Sequence, residues 1–172
     1  MTARNPARQL STAQERRDTV LRTALRAFAA RGYYGTPTVD IAKEDLFIEV
    51  VRHCFQLVRE SLAEGAAKAV SAEPAAVLDA MGEAYARLIS DPDLLMVQMQ
   101  AQCAAREPAI GEAVRSEYAR LVEYVRAASG GTDEEIQQFF AVGALCHLLV
   151  AIGVPSVDAR WARTLGNGIR HY

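Results

Sequence analysis

The sequence is poor in the residues that build metal sites and disulfide frameworks. Only three of its 172 residues are cysteine and three are histidine. Because Cys54, Cys103 and Cys146 are odd in number and widely spaced, we expect no disulfide framework and a cytoplasmic location. His53 and His147 each adjoin a cysteine, but neighbouring side chains on a helix point about 100° apart and cannot bind one ion together. We therefore expect no metal and no cofactor.

Sequence motifs of common enzyme classes are also missing. The chain has no P-loop, no G-x-G-x-x-G, no H-E-x-x-H and no G-x-S-x-G. Its pairs of neighbouring acidic residues, Asp79 with Glu83 and Glu134 with Glu135, are interpreted as solvated helix faces. A small helical enzyme is the hypothesis with least support, and we expect no enzymatic activity.

No membrane span is expected. The uncharged stretch Phe139–Val154 has 16 residues, whereas a transmembrane helix needs about 20. Thr132 and Glu135 predict a capping box before it, and Gly153 and Pro155 predict a sharp end. This pattern predicts a helix that is apolar nearly all round and is covered on all sides.

The remaining pattern is helical, with few strand signals. Hydrophobic residues make up 51% of the chain, which is enough for a sizeable core. Proline and cap residues mark several helix starts. The sequence predicts an all-α fold with helices at 46–70, at 74–90, from 91 onward, at 108–130, at 132–154 and after Pro155.

The first 45 residues differ from the rest in charge. They carry eight Lys or Arg against five acidic residues, whereas residues 46–172 carry eleven against sixteen. A basic N-terminal part on an acidic body suits contact with nucleic-acid phosphates, and the alternative is a solvated arginine-rich helix face. Thr12 with Glu15 predicts a capping box at the start of the first helix, and Ser11 with Gln14 is an alternative. Arg4 and Arg8 precede it in a flexible arm that either touches phosphates or has no role.

A turn is predicted after this first helix. Gly32 is expected to end the helix in the left-handed conformation, with residues 33–35 as a short connection. Thr36 and Pro37 fit the N-cap and the first position of a second helix. That helix is barely two turns long before charged residues follow, so it needs other helices to pack on.

These residues carry a family resemblance. The segment Gly32–Ala42, GYYGTPTVDIA, followed directly by Lys43–Phe47, KEDLF, resembles the N-terminal domain of the TetR (tetracycline-repressor-like) family. In that family a tight turn and a recognition helix lie between two such segments, and this block of about 15 to 20 residues is missing here. Either the protein has the block as a mobile segment that the sequence omits, or the protein lacks it. We favour the first interpretation, because a small DNA-reading module belongs to the least stable part of a fold.

The resemblance implies a function. It implies an incomplete helix-turn-helix domain at residues 1–45 and a larger helical ligand-binding and dimerisation domain at 46–172. Such a protein is a ligand-responsive transcriptional regulator, most often a repressor, which binds a palindromic double-stranded DNA operator as a homodimer. The alternative is a dimeric small-molecule-binding or interaction protein that has lost DNA recognition. Contacts with the DNA backbone are expected at Thr36, Tyr33, Tyr34 and Lys43 from the resemblance, and at Arg4, Arg8 and Arg17 from charge alone.

The resemblance also implies a ligand pocket among the middle helices and a dimer interface on the last two. A mostly apolar pocket favours a hydrophobic or amphipathic ligand, although such residues are also common in plain cores. The last two helices suit a four-helix bundle of two chains, and the alternative is a monomeric core. The pocket candidates are Tyr85, Met96, Met99, Gln102, Cys103, Tyr118, Phe139 and His147. The interface candidates are Phe140, Leu145, Leu148, Leu149, Ile152, Val157, Trp161, Leu165 and Ile169.

Overall fold

Seven α-helices and one short 3-10 turn make up the regular structure of the described residues, which confirms the predicted all-α class. The structure is a computed structural model that describes residues 6–37 and 40–169, with side chains described at 13–37 and 43–169. The helices are α1 (Pro6–Gly35), α2 (Asp40–Ala67), α3 (Pro74–Leu88), α4 (Pro92–Ala104), α5 (Pro108–Ser129), α6 (Asp133–Ala151) and α7 (Arg160–Gly166), with the 3-10 turn at Val154–Ser156 between the last two.

Local sequence signals fix most helix ends. A proline occupies the first position of α3, α4 and α5, where its missing N–H costs no hydrogen bond. The Asp91 carboxylate accepts a hydrogen bond from the Asp93 backbone N–H, 2.9 Å away, at the start of α4. Thr132 and Glu135 form the predicted capping box of α6. Gly130 ends α5 with φ 66° and ψ 13°, a left-handed conformation that glycine adopts without steric cost.

The start of α1 differs from the prediction. The helix begins at Pro6, so the predicted cap at Thr12 is wrong, and residues 6–10 are helical and do not form a flexible arm. Arg4 lies outside the described residues. Arg8 belongs to α1, but its side chain lies outside the described part.

The predicted turn after α1 takes a different form. Gly32 has φ 67° and ψ 176° and therefore interrupts the helix. The predicted left-handed conformation has a positive φ as well, but the observed ψ is that of extended backbone. Residues 33–35 continue as a helical turn beyond this kink. The Thr36 hydroxyl donates a hydrogen bond to the Gly32 carbonyl, 2.8 Å away. Since Pro37 is not helical, it is not the first residue of the next helix, and Thr36 is not the N-cap of that helix.

The segment expected as a short second helix belongs to α2. This helix runs without interruption from Asp40 through Lys43 to Ala67. The predicted boundary after residue 45 therefore lies inside a helix, and the division into two domains stays a prediction. No helix separates α1 from α2 within the described residues, so no recognition helix stands between them.

The core is centred on α2, which packs against α1, α3, α4 and α5. Phe28 of α1 and Phe47 of α2 are both buried and meet edge to face, with ring centroids 4.8 Å apart. The buried carboxylate of Glu117 accepts hydrogen bonds from Arg59, 2.6 Å away, and from Arg120, 2.7 Å away. These bonds stabilise a charge whose burial without partners would be costly, and the bond from Arg59 joins α5 to α2.

The last two helices leave apolar residues exposed. The sequence predicts α6 as covered on all sides, but Leu148 and Ile152 are exposed in the single chain. The last helix, α7, is only seven residues long, so Val157 and Ile169 lie outside it. Nowhere in the described ranges is a helix both long and apolar enough to span a membrane.

Candidate ligand-binding cavity

A cavity of about 930 Å³ lies between α3 and α6, and residues of α2, α4 and α5 together with Gly168 and Ile169 complete the described part of its wall. Phe55 of α2 and Phe139 of α6 give it aromatic walls. Small residues at Gly82 and Gly143 keep the facing helices from filling it. A methyl group added at Gly143 would lie 3.9 Å from the Tyr85 ring, which is ordinary van der Waals contact. The volume and the mostly apolar lining are typical of sites for small organic molecules.

A buried polar cluster, formed by Tyr85, Gln98 and His147, lies in the cavity wall. The Tyr85 hydroxyl donates a hydrogen bond to Oε1 of Gln98, 3.0 Å away. The orientation of this amide is fixed, because Nε2 of Gln98 donates to the Leu94 carbonyl, 3.3 Å away, and a carbonyl can only accept. The second hydrogen bond of the Tyr85 oxygen is with Nε2 of His147.

Burial keeps this cluster uncharged. Desolvation lowers the pKa of His147, since the protein interior disfavours its charged form. Burial raises the pKa of Tyr85 well above its ordinary value and also raises the pKa of the neighbouring Cys146 thiol. At neutral pH the cluster therefore offers hydrogen bonds and neither a strong base nor a thiolate nucleophile.

A second polar pair lies on the α4 and α5 side of the cavity. Nε2 of Gln102 donates a hydrogen bond to the Tyr118 hydroxyl, 3.1 Å away. The Tyr118 ring meets Phe55 edge to face, with centroids 5.0 Å apart. This pair gives the cavity polar groups of both hydrogen-bonding kinds beside an aromatic surface.

The structure brings together five of the eight predicted ligand residues. Three others, Met96, Met99 and Cys103, do not line the cavity. They lie on α4, which turns Gln98 and Gln102 toward the cavity, and Cys103 is exposed. Sequence reasoning singled out neither Gln98 as a pocket residue nor the acidic residues of the wall, because helical spacing cannot tell which face meets a cavity. The residues in place are Tyr85, Gln102, Tyr118, Phe139 and His147.

The predicted DNA-contacting side chains have partners within the chain. Arg17 pairs with Glu49 at 2.6 Å, and the Tyr34 hydroxyl donates to Glu107 at 2.9 Å, which raises the pKa of Tyr34. The Lys43 ammonium lies 4.7 Å from the centre of the Tyr33 ring. These contacts hold the side chains against the helical body, and contact with DNA stays a prediction.

The predicted dimer residues divide into exposed and inward-facing sets. Leu149 is fully buried between α6 and α7, so it is not accessible to a partner. Phe140 and Ile169 line the cavity, and Leu145 packs beside Leu149. The exposed members form what we call the C-terminal apolar face, which comprises Leu148, Ile152, Val157, Trp161 and Leu165.

Comparisons with known proteins add no assignment. No family model matches the chain, and no curated protein or solved structure matches it either. Within the described part of the chain, no three His, Cys, Asp or Glu side chains lie close enough to hold a metal ion. The case for a function therefore rests on the cavity and on the residues around it.

Proposed function

We propose that the protein is a ligand-responsive transcriptional regulator of the TetR-like kind, acting as a repressor in the cytoplasm. The observation that carries the proposal is the double role of α4. Gln98 and Gln102 of this helix line the cavity, while Gln100 between them packs against Gly32 at the kink of α1. A ligand that binds more tightly when α4 occupies one of two placements therefore favours that placement, and α1 moves with α4 through this contact.

The DNA-facing part of this proposal is the basic surface of α1. Arg16, Arg22 and Arg31 are exposed there, and the phosphate contacts proposed at Tyr34 and Arg17 would replace the intramolecular contacts described above. Cationic side chains of this kind bind the DNA backbone without reading base sequence. Residues that read bases belong to the missing recognition helix.

A gel shift with DNA from upstream of the protein's own gene tests DNA binding. Exchanging both Arg16 and Arg22 for alanine should weaken binding about equally on all sequences. The slope of log affinity against log salt concentration should fall by about 2, since each phosphate contact contributes about 0.9. The matched control is Arg115→Ala, which removes an exposed arginine of α5 and should leave both quantities unchanged. Equal losses in the control would contradict a specific role for α1.

We further propose that the C-terminal apolar face is covered by a second copy of the chain. Trp161 is 50% exposed and Ile152 is 57% exposed, and their burial in a two-fold interface would remove apolar surface from water. Sedimentation at micromolar concentration should give twice the mass of one chain, and Trp161→Asp should give a monomer. The control is Val70→Asp, because Val70 is an exposed apolar residue in the connection between α2 and α3, and its exchange should leave the dimer intact. A wild-type monomer would remove the basis for symmetric operator binding.

The alternative function is a dimeric small-molecule-binding or interaction protein without DNA recognition. The continuity of α2 favours it, because the chain passes from α1 into one long helix with no separate recognition helix among the described residues. The two proposals share the cavity and differ in DNA binding. Sequence-preferring, salt-sensitive binding in the gel shift supports the regulator, and no binding at low salt supports the alternative.

A further inference from the structure

Two glycines in the wall of the cavity each lie against an aromatic ring of the facing helix. A Cβ atom built at Gly82 of α3 would be 3.8 Å from Cε2 of Phe139 on α6, and one built at Gly143 of α6 would be 3.9 Å from Cε1 of Tyr85 on α3. Each helix therefore directs one ring toward a position where the other helix has no side chain. The rings of Phe139 and Tyr85 consequently lie in the space between α3 and α6, beside the cavity that both residues line.

The two rings follow each other along this space. Gly82 and Tyr85 are three residues apart on α3, and Phe139 and Gly143 are four residues apart on α6. At the rise of an α-helix, the two contacts between a glycine and a ring are about 4.5 to 6 Å apart along the helices. A ligand with two fused or linked rings is long enough to contact both Phe139 and Tyr85.

Neighbouring rings hold further parts of the wall in an edge-to-face arrangement. Phe139 meets Phe140, which also lines the cavity, with ring centroids 5.5 Å apart and ring planes at 88°. Phe55 of α2 and Tyr118 of α5 meet in the same way, with centroids 5.0 Å apart and planes at 73°. Five Phe and Tyr side chains from four helices therefore contribute to the wall of this one cavity.

A wall of this kind distinguishes an aromatic ligand from a saturated one. An aromatic ring has an electron-rich face and an electron-poor edge, so two rings that meet edge to face or offset attract each other beyond the effect of burying their apolar surface. A saturated ring of the same size buries similar apolar surface but lacks this attraction. The aliphatic lining residues, such as Val58, Leu62 and Leu121, favour both kinds of ligand alike.

We propose that the cavity binds a flat aromatic molecule with at least two rings, which packs between α3 and α6 against Phe139 and Tyr85. The two glycines leave room beside these rings, and the ligand extends the edge-to-face arrangement of the wall. This inference rests on the proposed ligand-binding function and specifies the chemical class of the ligand.

Two compounds with the same carbon skeleton test the preference for aromatic rings. They are 2-naphthalenemethanol and its fully hydrogenated counterpart, decahydro-2-naphthalenemethanol, which carry the same hydroxyl group. In competition with the fluorescent reporter N-phenyl-1-naphthylamine, the aromatic compound should displace the reporter at a roughly tenfold lower concentration, because its contacts with two rings each increase the affinity a few-fold. Equal displacement by the two compounds, or stronger displacement by the hydrogenated one, overturns the inference.

The variant Phe139→Leu tests the proposed place of the ligand. It keeps an apolar side chain but removes a ring, so the advantage of the aromatic compound should fall about threefold or more, while the hydrogenated compound binds within about twofold of the wild type. The matched control is Phe28→Leu, which makes the same exchange at a buried residue that does not line the cavity and should leave the advantage unchanged. An advantage that survives Phe139→Leu contradicts packing of the ligand against this ring.

The outcomes separate this inference from the proposed ligand-binding function. If the reporter and both compounds fail to bind, or if Gly143→Leu leaves their binding unchanged, the cavity is not a ligand site and both proposals are wrong. If Gly143→Leu blocks binding but the hydrogenated compound binds as tightly as the aromatic one, the cavity is a ligand site and only the aromatic class is wrong.

Discussion

The side-chain amide of Gln100, on α4, lies against the backbone of Gly32, on α1. A Cβ atom built at Gly32 would be 2.5 Å from Oε1 of Gln100, which is closer than real Cβ contacts, and Gly32 has a positive φ of 67°. The backbone conformation therefore favours glycine here, whereas the Gln100 amide is the end of a flexible side chain that can move aside. The contact joins the kink of α1 to the helix that carries two cavity residues.

Gly32→Ala should destabilise the protein through its backbone conformation. A φ of 67° with a ψ of 176° is adopted almost only by glycine, and an L-residue held there costs about 1 to 3 kcal/mol. The free energy of unfolding in urea measures the loss. The loss should persist when Gly32→Ala is made in a Gln100→Ala background, because it comes from the backbone conformation and not from the flexible Gln100 side chain. Gly35→Ala is the matched control, because Gly35 has no positive φ and its added methyl group meets only Arg31 at 3.6 Å.

Filling the cavity should block binding without unfolding the protein. Gly143 is an α6 residue that faces the cavity, so Gly143→Leu places a large side chain in the ligand volume. The thermal unfolding midpoint should stay the same or rise, since glycine in a helix is about 1 kcal/mol less favourable than most other residues. Affinity for N-phenyl-1-naphthylamine, a neutral fluorescent reporter of apolar sites, should fall at least about tenfold, because the reporter can then bury less of its apolar surface in the cavity. Gly143→Ala is the control and should raise stability with little effect on affinity.

Stability should depend on the protonation of His147. Burial lowers its pKa in the folded protein below the value of about 6.5 expected for an unfolded chain. Between these two values the unfolded state binds more protons, so the free energy of unfolding should rise with pH. The free energy that the neutral His147 ring contributes to stability is fully present above about pH 6.5, and it is lost as the pH falls toward the folded pKa. The free energy of unfolding should change by at most about 1.4 kcal/mol per pH unit in this range. Urea unfolding across this range measures the slope.

The variant His147→Gln should flatten this pH dependence. An NMR titration of the His147 ring, assigned from its absence in the variant, gives the folded pKa directly. A folded pKa at or above 6.5 would show that the ring is hydrated, and it would contradict the buried cluster with Tyr85.

The three cysteines should differ strongly in reactivity. Burial, assisted by the nearby charge of Asp91, raises the pKa of Cys54 to about 12, so almost no thiolate is present at pH 8. Cys146 is also buried, with a raised pKa, whereas Cys103 is exposed. Labelling with a chromogenic disulfide reagent should show one fast thiol in the folded protein and three after unfolding. Cys103→Ser should remove the fast phase, and its persistence would mean that a buried thiol is accessible.

Helix ends were the part of the fold most open to prediction from sequence. The prolines that open α3, α4 and α5 and the cap residues Asp91 and Thr132 act through bonds to their nearest neighbours, so their effect is visible in a short stretch of chain. The start of α1 was predicted wrongly because Thr12 can cap a helix yet can also lie inside one. The short helix expected before Lys43 is the first part of α2, which continues through Lys43 without interruption.

The cavity was only partly predictable, because its residues come from five helices and from the segment after α7. Tyr85 and His147 were identified as candidates, but their hydrogen bond joins residues 62 positions apart. Asp79 and Glu134 were interpreted as solvated faces because helical spacing cannot show that α3 and α6 run side by side. Met99 and Cys103 were misplaced for the same reason, since the rotation of α4 is set by packing against α1 and α2.

The sequence by itself determined that the chain is helical and where most of its helices begin, because propensity, capping and hydrophobic periodicity act over a few residues. Only the tertiary structure decided which faces meet. It placed four carboxylates and a buried histidine around one cavity, and it set Gln100 against Gly32. Such relationships depend on the rotation and spacing of whole helices, which the packing of large side chains such as Phe28 and Phe47 fixes across long sequence distances.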